Sequence, residues 1–163
     1  MKELYLTVGL PRSGKSTWAK KQTMPIVNPD SIRLAIHGER FISQAEPFVW
    51  ATAKAMVRAL FIAGHDKVIL DSCLVTPGRR DEWRSTDWKR RFVVFTTDKA
   101  ECIRRARAID DEYIVPVIER MATDFVPLTP VELDELAATV EPCPYKDSEE
   151  GIAGYQTFGR PKC

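Results

Sequence analysis

The sequence predicts an α/β fold, a three-layer sandwich built around a central, mostly parallel sheet. Three observations predict it. Short apolar runs alternate with stretches of helical spacing along the 163 residues, and such alternation builds βαβ units. The run from Leu4 to Val8 is apolar and β-prone, as expected of a parallel strand covered on both faces. That run ends at Gly9, and the chain then reads Gly-Leu-Pro-Arg-Ser-Gly-Lys-Ser-Thr through Thr17.

Each element has a local reason. A helix is predicted from Lys15 to about Gln22, then a short strand at Pro25–Asn28. Pro29 suits a first helical position and opens a helix to about Ile36, which Gly38 stops. Ser43-Gln44-Ala45-Glu46 reads as a capping box with Pro47 just inside. The helix it opens runs to Ala63, where Gly64 ends it, and Val49, Ala53, Met56, Val57, Leu60 and Phe61 form its apolar stripe. Lys67–Asp71 is a third strand, Pro77 starts another helix, and Arg91–Thr96 is a fourth strand. Asp98 caps a basic helix through Arg107, and a further helix lies near Pro116–Thr123. Residues 98–123 are expected to form a helical lid. Residues 129–140 read as helical, and the end, with Pro142, Pro144, Gly151, Gly154 and Gly159, as an irregular tail. No repeat or domain boundary interrupts the chain, so 1–163 is expected to be one domain with a C-terminal extension from about 129.

Composition bounds the function. Hydrophobic residues are 44% and charged residues 29%, as in a soluble globular protein. The net charge of +1 argues against bulk attraction to nucleic acid or membranes. Charge is nonetheless uneven: 79–107 is rich in arginine, 132–150 in carboxylates. No apolar run approaches the ~20 residues of a membrane span, and no secretory leader pattern opens the chain. Cys73, Cys102, Cys143 and Cys163 form no Cys-x-x-Cys pair, so they are expected to be reduced thiols in the cytoplasm.

Gly9 to Thr17 matches the P-loop pattern Gly-x-x-x-x-Gly-Lys-Ser/Thr. Gly9 and Gly14 allow backbone angles that a Cβ blocks. The amides of Arg12, Ser13, Gly14, Lys15, Ser16 and Thr17 can then converge on phosphate oxygens. Lys15 reaches the β- and γ-phosphates, and the Ser16 hydroxyl ligates Mg²⁺. The motif implies ATP with Mg²⁺ on a P-loop NTPase-type scaffold. It leaves the fate of the γ-phosphate open.

The acceptor side follows the second strand. Asp30 lies beyond that strand's carboxyl end, where ligands bind in open α/β sheets. Arg33 is three residues on, hence on the same helical face. A carboxylate there suits a hydroxyl, and a guanidinium suits a neighbouring phosphate. The other reading stays open: Asp30 caps the helix and Arg33 pairs with it. Asp71 closes the third strand, with Mg²⁺ water or the acceptor as its partner, or a turn with Ser72. Arg105 or Arg107 on the basic helix can neutralise the transferred phosphoryl. Arg79 and Arg80, just past a strand end, can touch a polyanionic acceptor, although a role with no ligand is the favoured reading. His37 and His65 read as structural or solvent-facing, and Trp50, Trp83 and Trp88 as packing residues.

Several of these motifs together resemble one family: the kinase domain of bacteriophage polynucleotide 5′-kinases and their bacterial relatives, the P-loop group that also holds zeta-type toxins. The resemblance covers about residues 3–127. It rests on Gly9 to Ala19; on Asn28, Asp30 and Arg33 as an Asn-x-Asp-x-x-Arg motif; on Val68–Ser72 with Pro77 to Arg80 and Trp83; and on Cys102–Arg107 with Val115-Pro116 and Met121. It implies that Asp30 is the general base, that Arg33 contacts substrate phosphate, and that a lid arginine contacts ATP. The family often carries two lid arginines four apart, whereas Ile109 stands four after Arg105. A phosphatase domain, present in some phage members, is not expected here. The implied reaction moves the γ-phosphoryl of ATP to a hydroxyl of DNA or RNA. A hydroxymethylated base in phage DNA, a free nucleoside or a sugar would use the same chemistry, and a toxin-like or regulatory nucleotide-binding module is the rival outside enzymology.

Overall fold

The computed structural model describes residues 1–142; the expected irregular tail beyond Pro142, with Cys143 and Cys163, lies outside the described residues. Strand β1 (Glu3–Val8) leads through helix α1 (Lys15–Lys20) to β2 (Ile26–Val27), and α2 (Pro29–His37) and α3 (Glu46–Ile62) lead to β3 (Lys67–Leu70). Then follow α4 (Pro77–Asp81), β4 (Lys89–Phe95), α5 (Lys99–Arg107), α6 (Val115–Asp124), α7 (Pro130–Leu133) and β5 (Leu136–Val140). The five strands form one sheet in the order β2-β3-β1-β4-β5. Every pairing is parallel.

Strand alternation sorts the core into two layers. Leu4, Leu6 and Val8 of β1 face α2 and α3, packing with Ile32, Val49 and Val57. Tyr5 faces the other way, in a cluster with Trp18 of α1, Ile69, Val93 and Phe95. A third cluster joins Leu10, just past β1, to Val75, Cys102, Ala106 and Ile118, so α5 and α6 pack above the sheet's carboxyl edge. This is the expected sandwich with its helical lid. Among the described residues, no helix is long and apolar enough to cross a membrane.

Three local expectations are corrected. Residues 129–140 are not one helix: Pro130–Leu133 is a single turn, and Leu136–Val140 is a strand parallel to β4. Thr129 and Glu132 close a capping box that starts the turn. The open edge of β4 then claims the chain, with the Phe92 amide on the Glu135 carbonyl at 2.8 Å. Ladder pairing overrides the helix propensity of Leu136-Ala137-Ala138. The capping box at Ser43–Glu46 does not form. Ser43–Ala45 is a 3-10 turn, and no side chain caps α3, because the Glu46 carboxylate is bonded to Arg33.

The third correction is Arg80, which contacts no polyanion. It is fully buried and donates to Glu132, to the Leu74 and Val126 carbonyls and to the Pro127 carbonyl. A buried guanidinium needs this saturation. The pair pins residues 126–132 beneath α4. Arg80→Ala should therefore lower unfolding stability by about 3–5 kcal/mol by stranding Glu132. Urea denaturation checks this. The Arg80→Ala/Glu132→Ala double variant should lose much less than the two single losses added together.

Candidate active site

The phosphate loop is seated by backbone contacts. The Gly9 amide donates to the Cys73 carbonyl at 3.0 Å. A Cβ on Gly9 would lie 2.9 Å from Phe95 Cβ and 3.0 Å from Ser13 Oγ, so only glycine fits. Gly14 takes φ +101°, and Arg12 takes φ +66°, which strains a residue with a side chain. Thr97, just past β4, donates its hydroxyl to the Ser13 carbonyl at 3.0 Å and holds the loop from the other side. Lys15 is buried. Its ammonium donates to the Leu10 carbonyl at 2.5 Å and approaches Ser13 Oγ at 3.3 Å. Ser16 is exposed at the first turn of α1 and Thr17 half-buried.

The carboxyl ends of β3 and β2 are tied together beside this loop. Thr7 Oγ1 donates to the Ser72 carbonyl at 2.7 Å and accepts from the Ser72 amide at 2.9 Å. Asp71 is buried and accepts from Asn28 Nδ2 at 2.8 Å. Asn28 in turn caps α2 by accepting from the Ser31 amide. Asn28, not Asp30, is thus the helix cap, which leaves the Asp30 side chain 81% exposed. Arg33 does pair with Asp30, at 2.6 Å.

Burial pushes the Cys73 thiol above its ordinary value; the Lys15 ammonium opposes that shift, and the Asp30 and Asp71 carboxylates add to it. The bond from Asn28 to Asp71 is the contact that brings the start of α2 to the end of β3.

The region of α2 and α3 holds more than the sequence revealed. Arg33 makes a two-pronged contact with Glu46, 2.7 Å from Nε to Oε1 and 2.7 Å from Nη2 to Oε2. Trp50 Nε1 donates to the same carboxylate at 3.1 Å. The half-buried Trp50 ring packs edge-on to Trp83, and the guanidiniums of Arg33 and Arg79 stand 5.9 and 5.4 Å from its centre. Trp83 and Trp88 are core residues, as expected.

On the lid, Arg105 and Arg107 part ways. Arg105 is bonded to Glu101 at 2.6 Å and donates to the Arg12 carbonyl at 3.3 Å, so it touches the phosphate loop. Arg107 is 61% exposed and pairs with Glu112; no contact ties it to the loop. Asp111 joins three segments: it accepts from Arg12 of the loop and from both Nη atoms of Arg40, before α3, at 2.7 and 3.1 Å. Arg40 also lies over the Tyr113 ring at 4.6 Å. Glu46, Trp50, Arg40 and Asp111 were not singled out as site residues. The excess of arginine near the P-loop was the one available signal, since each buried or crowded guanidinium demands a carboxylate.

Two protein oxygens, from Ser16 and Asp71, suit Mg²⁺, which keeps most of its shell as water and phosphate oxygen. The described residues contain no group of three or more acidic, histidine or cysteine side chains that would suit a more demanding ion.

A family model described as an AAA domain matches residues 4–123. The chain belongs to that family. The match spans this AAA domain from β1 through the lid. Structures of like fold include a gluconokinase from Sinorhizobium meliloti 1021, 15% identical over 85% of this chain and 82% of that one, TM-score 0.58. A sugar kinase from Janibacter sp. HTCC2649 is 16% identical over 86% of each chain, TM-score 0.59. A fungal RNA kinase is 13% identical over 91% of this chain and 77% of that one, TM-score 0.53. A chain of a Pnkp1/Rnl/Hen1 complex is 30% identical over 64% of this chain, which spans only 38% of that one, TM-score 0.49. No curated protein matches. The AAA domain here therefore has the P-loop kinase fold, which sugar and RNA kinases share.

The Asp111 clasp has a pH signature. Its bonds from Arg40 and then Arg12 outweigh burial and lower its carboxyl from 3.8 to about 2. A folded-state value below the unfolded one gives stability that is present above pH 4 and lost as pH falls toward 2. Asp111→Asn should flatten the stability profile across that window, read as the thermal midpoint against pH. An unchanged slope would show that the clasp contributes nothing.

Proposed function

We propose that this protein is an ATP-dependent phosphotransferase with an alcohol acceptor, and that the alcohol is a hydroxyl of a nucleic acid. The observation that carries the reading is that Lys15 of the loop and buried Asp71 are joined by Asp30, which the 2.8 Å bond from Asn28 to Asp71 holds at the start of α2 beside the end of β3. A nucleotide switch needs the first two residues; the exposed, cap-free Asp30 has no use there but suits an alcohol. The fold leaves the acceptor open. Asn28, Asp30 and Arg33, in the spacing of the polynucleotide kinases, favour nucleic acid, and Arg79 on Trp50 adds a cation and a ring for a phosphate and a base.

The loop amides from Gly9 to Thr17 would hold the triphosphate, and Lys15 would stabilise its β- and γ-oxygens. Mg²⁺, held by Ser16 and through water by Asp71, would supply charge neutralisation between those phosphates. Asp30 orients the acceptor hydroxyl. The acceptor oxygen forms the new P–O bond, the bond to the β-phosphate oxygen breaks, and the hydroxyl proton passes to the Asp30 carboxylate. The transition state is loose, so orientation precedes proton removal. Arg105, touching the loop, is the better-placed lid arginine to meet the transferring charge, and Arg107 the poorer. Arg33 and Arg79 serve the acceptor side.

Asp30→Ala should spare ATP binding and cut transfer by about 10²–10⁴. Labelled ATP, offered with hydroxyl-ended DNA and RNA oligonucleotides, modified-base DNA, nucleosides and sugars, checks both points. Transfer only to free nucleosides or sugars would replace nucleic acid with a small metabolite. Hydrolysis to water alone, with no acceptor labelled, would make the chain a regulatory or toxin-like module.

A further inference from the structure

We propose that Glu46 is a positioning and specificity residue: it fills the fork of Arg33, so that Arg33 aims Asp30 at a bare alcohol instead of gripping a phosphate. The Arg33 guanidinium is only 11% exposed, and a buried guanidinium must be paired. Its Nε and Nη2 edge, the edge with which arginine clasps a phosphate, is closed by both Glu46 oxygens. Glu46 is itself fixed, by Trp50 Nε1. Its carboxyl is held below its ordinary value, chiefly by the bonds from Arg33, so it stays charged at neutral pH.

Nη1 of Arg33 goes to Asp30 Oδ1. The Asp30 side chain is otherwise exposed, so its second oxygen is presented to solvent. The two carboxylates occupy the donor edges of Arg33, and the charge of Arg79 also reaches Glu46. An acceptor phosphate approaching Arg33 meets an occupied fork; a neutral hydroxyl meets a carboxylate oriented to accept its proton. The phosphate of an acceptor chain then falls to Arg79, half exposed, paired with Glu82 at 3.4 Å and lying over the Trp50 ring. Glu46 thereby separates the alcohol end of the acceptor from its phosphate, and disfavours rebinding of the phosphorylated product.

The kinetic arm of the test rests on the function proposed above; the binding arm does not. The binding arm titrates inorganic phosphate, by calorimetry, into full-length protein whose loop is saturated with a non-hydrolysable ATP analogue. Glu46→Ala opens the fork and should bind phosphate at least about tenfold tighter than the natural chain. Glu46→Gln keeps the shape, removes the charge, and should gain less; it decides the arm if the alanine variant does not fold. Equal phosphate affinity in a folded variant and the natural chain overturns the proposal.

The kinetic arm follows transfer to the best acceptor found. Glu46→Gln should lower kcat about 10–100-fold with KM for ATP unchanged, because only aim is lost, and inhibition by phosphorylated product should strengthen. Glu46→Asp should recover part of kcat. A fall in kcat with weaker product inhibition would mean a merely structural role and sink the idea. If the natural chain labels no alcohol, the assignment as a kinase fails, and the phosphate titration still decides what Glu46 does.

Discussion

The site depends on one crowded point, the seat of Gly9. Its amide is bonded to the loop after β3, and its α-carbon is pressed against Phe95 at the end of β4. Three adjacent strands thus end against the first residue of the phosphate loop, with no space for a side chain. The next residue, Leu10, is buried with Val75 and with Cys102 and Ala106 of α5. The loop is therefore part of the floor on which the lid packs. A lid that shifted would drag the apolar surface of Leu10 with it, which couples lid position to the shape of the cradle.

Charge around this seat falls into two kinds of pair, and burial separates them. Arg80 with Glu132 and Arg90 with Glu135 are structural: their guanidiniums are 0% and 3% exposed. They tie the arginine-rich stretch after β3 to Glu132 and Glu135, just before β5. The pairs at the rim differ. The guanidiniums of Arg12 and Arg40 on Asp111, and of Arg105 on Glu101, are partly exposed and link the loop, the segment before α3 and the lid. Pairs nearer solvent are screened more strongly by salt than buried ones. The same residue type thus serves as a rivet where it is buried and as a link between segments at the rim.

What could be read from the chain was what local spacing determines. The strand, loop and helix of the P-loop are consecutive in sequence, and Asn28, Asp30 and Arg33 are set by one helix turn, so both were legible. Asn28 was legible as a motif and not as the cap of α2 and the clamp on Asp71, because its second partner lies 43 residues away. Glu46 was read as a cap, since a capping box is a local pattern, while its true partner is 13 residues back. Asp111 meets partners 99 and 71 residues distant, and no periodicity announces that. The strand β5 failed for a related reason: its alanines favour a helix in isolation, and only the vacant edge of β4 makes a strand the better state. The burial of Arg80 was not legible, because sequence shows a charge beside a strand end but not which way it turns.

Strand order explains why the phosphate loop, the start of α2 and the start of α5 can meet at all. The P-loop follows β1, at the centre of the sheet. On one flank comes β3, ending at Asp71, and then β2, ending at Asn28 and the helix of Asp30. On the other comes β4, whose end delivers Thr97 to the loop and begins the lid helix. The start of α2 and the start of α5 therefore reach the phosphate loop from opposite flanks of β1. The β1–α1–β2 crossover has to skip the place that β3 later fills. That skipped place puts a buried carboxylate between the lysine of the loop and the exposed carboxylate of α2. In a sheet ordered as the chain runs, Asn28 would border Thr7 directly, and Asp71 would have no position between them.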